Sequence, residues 1–147
     1  MILYHVSTES LIEGQILEPG KFWKGMKEEF NPNNLVIKIE LIFESIREKI
    51  YPFQVSRSNC VFACKEIENA RLFLNLYRKN YPQSSIYEIE IDNKTNIFDG
   101  DFTIITTPGQ TITQIEQSAK DYWSGKRKTN FIETLIGGLV KVVKKVE

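Results

Sequence analysis

Two hydrophobic periods lie side by side in this chain, and together they exclude most ways of folding it. From Leu35 to Tyr51 the apolar residues Leu35, Ile39, Ile42, Phe43, Ile46 and Ile50 recur at intervals of three and four, the spacing of one helix face. Pro52 ends that helix. From Ser85 to Asp92 the interval drops to two: Tyr87, Ile89 and Ile91 alternate with Glu88, Glu90 and Asp92, which predicts a strand with one packed and one wet face. A doubly wound fold needs regular strand–helix alternation, and the remaining segments do not supply it. The expectation is α+β.

The other segments fill in around these two. Leu3–Ser7 reads as a first strand, and Leu11-Ile12-Glu13-Gly14 as a brief helix after it. Pro19 to Asn34 reads as a long loop, bounded by Pro19-Gly20 and Asn31-Pro32-Asn33-Asn34. Cys60–Cys64 is expected as a strand, and Glu66 to Asn80 as a helix with Ile67, Ala70, Arg71, Leu74 and Tyr77 on one side, stopped by Pro82. After a turn at Asn93-Lys94, another strand is expected within Asn96–Ile105. Thr111 or Thr113 caps a helix to about Gly125 that carries Ile115, Ala119, Tyr122 and Trp123. The chain closes with an expected hairpin, Phe131–Ile136 and Leu139–Val146 about a Gly137-Gly138 turn.

At 147 residues, 41% apolar and 12% aromatic, the chain is expected to form a single globular domain over residues 1–147. Lys+Arg and Asp+Glu both number 19, which argues against a molecule-wide electrostatic footprint for nucleic acid or anionic lipid. The basic residues are nevertheless uneven. Lys120, Lys126, Arg127, Lys128, Lys141, Lys144 and Lys145 crowd the last quarter, against the acids Glu116, Asp121, Glu133 and Glu147. That leaves either a local basic surface or a lysine-protected edge strand. The two cysteines would share a strand face about 13 Å apart at roughly 3.3 Å per residue, too far for a disulfide. They read as buried apolar fillers in a reducing compartment. With no leader-like opening and no apolar run of spanning length, the expected location is cytoplasmic, away from membranes.

Candidate chemistry is sparse. His5 is the only histidine and sits on the first strand, as either a core imidazole satisfied by a carbonyl or a pocket residue. In the expected hairpin Glu133 opposes Val142 and shares a face with Phe131, Leu135 and Val140. A carboxylate there must meet donors or open onto a cleft. The alternative packs Ile132, Thr134 and Ile136 and turns Glu133 outward. Arg57, at a strand entrance, can hold a phosphate or carboxylate through its planar fork, or simply be solvated. Asp99-Gly100-Asp101 lacks the further ligands of a calcium loop, and one histidine is too few for a zinc site of usual spacing, so no metal is expected. No phosphate-binding glycine loop or nucleophile elbow occurs.

Three segments taken together resemble the ADP-ribosyltransferase family, in the branch of diphtheria-type toxins, poly-ADP-ribose polymerases, DNA-modifying toxins and tRNA 2′-phosphotransferases. They are Leu3-Tyr4-His5-Val6-Ser7 with Ile12-Glu13-Gly14-Gln15-Ile16, Val61-Phe62-Ala63 followed by Ala70 and Phe73, and Phe131-Ile132-Glu133-Thr134-Leu135-Ile136-Gly137-Gly138-Leu139-Val140. The resemblance implies split antiparallel β-sheets with flanking helices and a cleft for NAD, used as a substrate. It implies that His5 bonds a ribose hydroxyl and that Glu133 stabilises the oxocarbenium-like charge as nicotinamide leaves. Ser7 and Arg57 would line the cleft, Arg57 against the pyrophosphate. Phe62 and Phe73, or Val61 and Leu72 in a register shifted by one, stand where polymerase-like members carry tyrosines, and phenylalanine can stack but not hydrogen-bond. The implied activity is mono-ADP-ribosylation of a protein or nucleic acid by a toxin-like effector. The alternative is a non-enzymatic nucleotide- or protein-binding module on the same fold.

Overall fold

The computed structural model describes residues 1–78 and 80–147, excluding the side chains of Tyr77 and Arg78. Its strands are β1 (Ile2–Ser7), β2 (Ile16–Leu17), β3 (Val61–Ala63), β4 (Ser85–Glu90), β5 (Ile97–Asp101), β6 (Ile132–Ile136) and β7 (Val140–Lys145). Its helices are α1 (Lys21–Glu29), α2 (Leu35–Ile50), α3 (Ile67–Arg78), α4 (Phe102–Thr106) and α5 (Ile112–Trp123), with a single 3₁₀ turn at Arg57–Asn59. The strands form a four-stranded sheet in the order β1-β4-β7-β2 and a three-stranded sheet in the order β3-β6-β5. Every pairing is antiparallel. The protein is α+β.

Side-chain alternation stacks these elements. In the three-stranded sheet Leu135 and Phe98 point toward α2 and α5, meeting Phe43, Ile46, Ile115, Tyr122 and Trp123. Val61, Ala63 and Ile136 point the other way, onto Leu3, Ile89, Val140 and Val142 of the four-stranded sheet. The outer face of that second sheet carries Ile86, packed under Ala70 and Leu74 of α3. The central strand β6 is therefore covered on both sides, and Glu133 through Ile136 are all buried. The two sheets touch where β1 meets the end of β3, through a Tyr4–Cys64 bridge with paired backbone bonds of 2.8 Å.

Several expectations change. The closing hairpin does not form: β6 pairs with β3 and β5, whereas β7 pairs with β4 and β2. Gly137-Gly138 instead turns the chain from one sheet into the other. Both glycines are pressed against neighbours, since a Cβ would come within 3.2 Å of Val55 at Gly137 and 2.9 Å of Thr95 at Gly138. Glu133 accordingly opposes Gly100 rather than Val142, and it shares a face with Leu135 but not with Val140. The supposed loop from Pro19 to Asn34 contains α1, with Met26 buried. The brief helix after β1 is absent; Gly14, at φ 83°, turns the chain into β2. The strand expected across Asn96–Ile105 stops at Asp101, whose carboxylate accepts the Thr103 amide and starts α4. Cys60 and Cys64 are free and buried, but they face different clusters because β3 ends at Ala63. The expected helix end at Asn80 adjoins Lys79, and Lys79 and the Tyr77 side chain lie outside the described residues.

Candidate functional site

On the face of the three-stranded sheet that α2 and α5 cover, a buried ion cluster assembles from four elements. Arg57 enters on the 3₁₀ turn, which Ser56 caps by accepting the Ser58 amide at 3.1 Å. Its Nε donates to both Glu40 oxygens at 3.1 and 3.0 Å, and Nη2 donates to Glu40 Oε1 at 3.1 Å. Its Nη1 donates to the Tyr122 hydroxyl at 2.9 Å and also to Glu133 Oε1. The Tyr122 hydroxyl in turn donates to Glu133 Oε1 at 2.6 Å. Arg57 is 5% exposed, Glu40 7% and Glu133 1%. One guanidinium thus faces two buried carboxylates, with the neutral phenol between them.

Local sequence explains each position. Glu40 lies on the packed face of α2, three residues from both Ile37 and Phe43, which are buried with it. Tyr122 lies on the buried face of α5 with Ile115 and Ala119. Its ring can reach Glu133 only because residue 100 is glycine: a Cβ there would lie 2.5 Å from the Tyr122 Cζ and 2.8 Å from its oxygen. Burial pushes the Tyr122 hydroxyl above its ordinary range, with Arg57 opposing. Burial alone would lower the Arg57 pKa, but Glu40 and its hydrogen bonds more than restore it, so the guanidinium stays charged. Cys60, whose thiol donates to the Arg57 carbonyl at 3.5 Å, is pushed up to about 12 by burial, so the thiol stays protonated.

The cluster extends to the first strand through Phe62. The Arg57 guanidinium carbon lies 4.9 Å from the centroid of the Phe62 ring, and Phe22 of α1 meets that ring edge-on at 4.9 Å. The Phe62 carbonyl lies 2.7 Å from His5 Nδ1. A carbonyl only accepts, so Nδ1 carries the hydrogen. The His5 pKa is lowered, by burial first and by nearby Lys21, against the raising effect of the Phe62 carbonyl. The ring is therefore neutral at pH 7, and Nε2 offers a lone pair.

Of the six residues singled out in the sequence, the structure joins His5, Phe62, Arg57 and Glu133 in one connected set. Ser7 ends β1, and its hydroxyl accepts the Glu9 amide at 3.0 Å. Phe73 lies elsewhere, 4.5 Å from Phe102 and 4.9 Å from Phe131, centroid to centroid. Glu40, Tyr122 and Gly100 were not recognised as site residues from the sequence, Tyr122 being placed only on a helix and Gly100 only in a turn. A signal for Glu40 existed, as an acid inside an apolar helical stripe that needs a cation. Glu133 Oε2 is buried without a hydrogen-bond partner among the described residues. Two surface hollows, of about 270 and 560 Å³, lie along β7 beside Glu90 and Lys141 and touch none of these residues.

The fold and site define an α+β protein of two antiparallel sheets with a buried arginine–carboxylate cluster between the three-stranded sheet and its covering helices. The chain belongs to the DUF2441 family, described as proteins of unknown function, whose pattern it matches over residues 13–147. No match is found among curated proteins.

Proposed function

We propose that this protein is a mono-ADP-ribosyltransferase that uses NAD as substrate and modifies a macromolecule. One observation carries the reading. Four of the residues marked by the family resemblance, taken from β1, the 3₁₀ turn, β3 and β6, are linked by direct contacts. Split four- and three-stranded antiparallel sheets agree with the fold that the resemblance implies.

In this reading the neutral His5 Nε2 accepts from a ribose hydroxyl of the dinucleotide. Phe62, held between Phe22 and Arg57, offers an apolar wall to the nicotinamide. Glu133 Oε2, the carboxylate oxygen without a partner, accepts the 2′-hydroxyl of the nicotinamide ribose and stabilises positive charge at C1′. The C1′–N bond breaks, its electron pair leaves with neutral nicotinamide, and the acceptor nucleophile bonds to C1′ and releases a proton. Arg57 and Tyr122 fix the other oxygen, so the carboxylate is oriented before substrate arrives. Because Glu133 is 1% exposed, the substrate reaches it only if the side chains covering the cluster move.

The test is label transfer from adenylate-labelled NAD to total protein and nucleic acid of a lysate. Glu133→Gln keeps the shape and should lower transfer by about a hundredfold or more, the usual loss when one charge-stabilising group is removed. Transfer at the wild-type rate in that variant would take Glu133 out of the mechanism. If the wild-type protein neither binds NAD in calorimetry nor transfers label, the chain is a non-catalytic binding module, the reading favoured by the closed Arg57–Glu133 contact.

A further inference from the structure

We infer that the protein binds single-stranded nucleic acid on a surface formed by the segment that leads into β6 and by three neighbouring aromatic rings. The segment is Ser124 to Asn130, and all seven of its residues are exposed. It contains the consecutive cations Lys126, Arg127 and Lys128. Lys126 Nζ lies 3.8 Å from Asp121, and neither Arg127 nor Lys128 forms a side-chain ion pair among the described residues.

Two features separate this segment from an ordinary solvated charge run. Its backbone is clamped, because Asp101 accepts from the amides of Lys128 and Thr129 at 2.7 Å each and from the Thr129 hydroxyl at 2.9 Å. The Asn69 side chain donates to the Asn130 carbonyl at 3.1 Å. The cations therefore project from a fixed platform, and binding an anion there orders little new chain. Beside the platform lie Phe73, Phe102 and Phe131, with centroid separations of 4.5, 4.9 and 5.1 Å. All three rings keep part of their area in solvent. Phe131 follows Lys128 by three residues, at most about 11 Å of chain.

Cations that track a phosphate backbone next to half-buried aromatic rings offer the two components of single-strand recognition, since only unpaired bases present free faces for stacking. An acidic peptide would use the cations and leave the rings idle. The surface adjoins the strand that carries Glu133, so within the transferase reading the bound strand is the acceptor. As a binding surface it stands apart from that reading.

The test is fluorescence anisotropy with end-labelled twelve-nucleotide single strands, deoxy-T and ribo-U. With three phosphate contacts and a slope of roughly −0.7 per contact, affinity should fall about 20-fold between 50 and 200 mM salt. Phe131→Leu keeps the apolar volume and removes the π-face; it should weaken binding at least about fivefold while the thermal midpoint holds. Arg127→Ser with Lys128→Ser should cut the salt slope to about a third, the share of the remaining Lys126. Absence of saturable binding overturns the inference. So does equal affinity for duplex, heparin or an acidic peptide, or indifference to Phe131→Leu. Adding labelled NAD separates the two proposals: strand binding without transfer leaves this surface standing and removes the enzyme, and transfer without strand binding does the reverse.

Discussion

Replacing Arg57 by methionine isolates the energetics of the cluster. The substitution keeps an apolar stem and removes the one cation that, among the described residues, hydrogen-bonds Glu40 and Glu133. Both carboxylates are then left under protein with no counter-charge, and Tyr122 loses its donor. Breaking a buried pair in this way costs about 3–5 kcal/mol, against total stabilities of about 5–15 kcal/mol for natural domains. With a urea m-value of about 2 kcal/mol/M, the midpoint should fall by roughly 2 M at pH 7. Converting Glu40 and Glu133 to methionine in the same background should restore the midpoint to near wild type, because a well-packed apolar replacement of a buried ion cluster is often neutral or better. A loss under about 1 kcal/mol at pH 7, or no recovery of the midpoint in the triple variant, would refute the assignment of one cation to two buried carboxylates.

Other perturbations follow from neighbouring contacts. Gly100→Ala should destabilise by about 1–3 kcal/mol in urea melts, because its methyl meets the Tyr122 ring; Tyr122→Ala in the same chain should relieve the clash, and strictly additive losses would count against it. His5 has a lowered folded pKa, so the unfolded state takes up its proton first; stability should be full above about 6.5 and decline as pH falls below that value. His5→Gln should flatten that part of the profile, and an unchanged slope would mean that another group titrates there. Cys60 and Cys64, both pushed up to about 12 by burial, should resist iodoacetamide at pH 8 in the native protein and react on unfolding, as mass spectrometry would show; rapid native labelling would contradict their burial.

What the sequence disclosed follows the physics of each segment. The helix α2 announces itself because one face is buried, and so does the end of β4, where Ile89 is buried between Glu88 and Glu90; at its start Ile86 and Tyr87 are buried on opposite faces, against the expected wet side. Helix α5 is marked by Thr111, whose hydroxyl accepts the Gln114 amide while Gln114 answers in a capping box. The helix α1 carries no comparable mark, having Gly25 inside it and only Met26 buried. The pairing of β6 was not legible, since a strand buried on both faces has no period-two signal and Gly-Gly serves a hairpin turn and a tight corner alike. His5 and Glu133 were visible as polar groups in apolar strands, and Arg57 as a cation at a strand entrance. Their partners Glu40 and Tyr122 come from segments 17 and 65 residues from Arg57, a proximity that only the tertiary fold creates.

The corner at Gly137-Gly138 also sets the order in which the molecule can be completed. Because β7 sits between β4 and β2, the four-stranded sheet lacks an inner member until residues 140–145 have been synthesised. Until then β4 would hold only β1, and the apolar inner surface of both sheets would face water. Ribosome-bound chains halted before Val140 should therefore stay protease-sensitive throughout, and maturation should come as a late, concerted event.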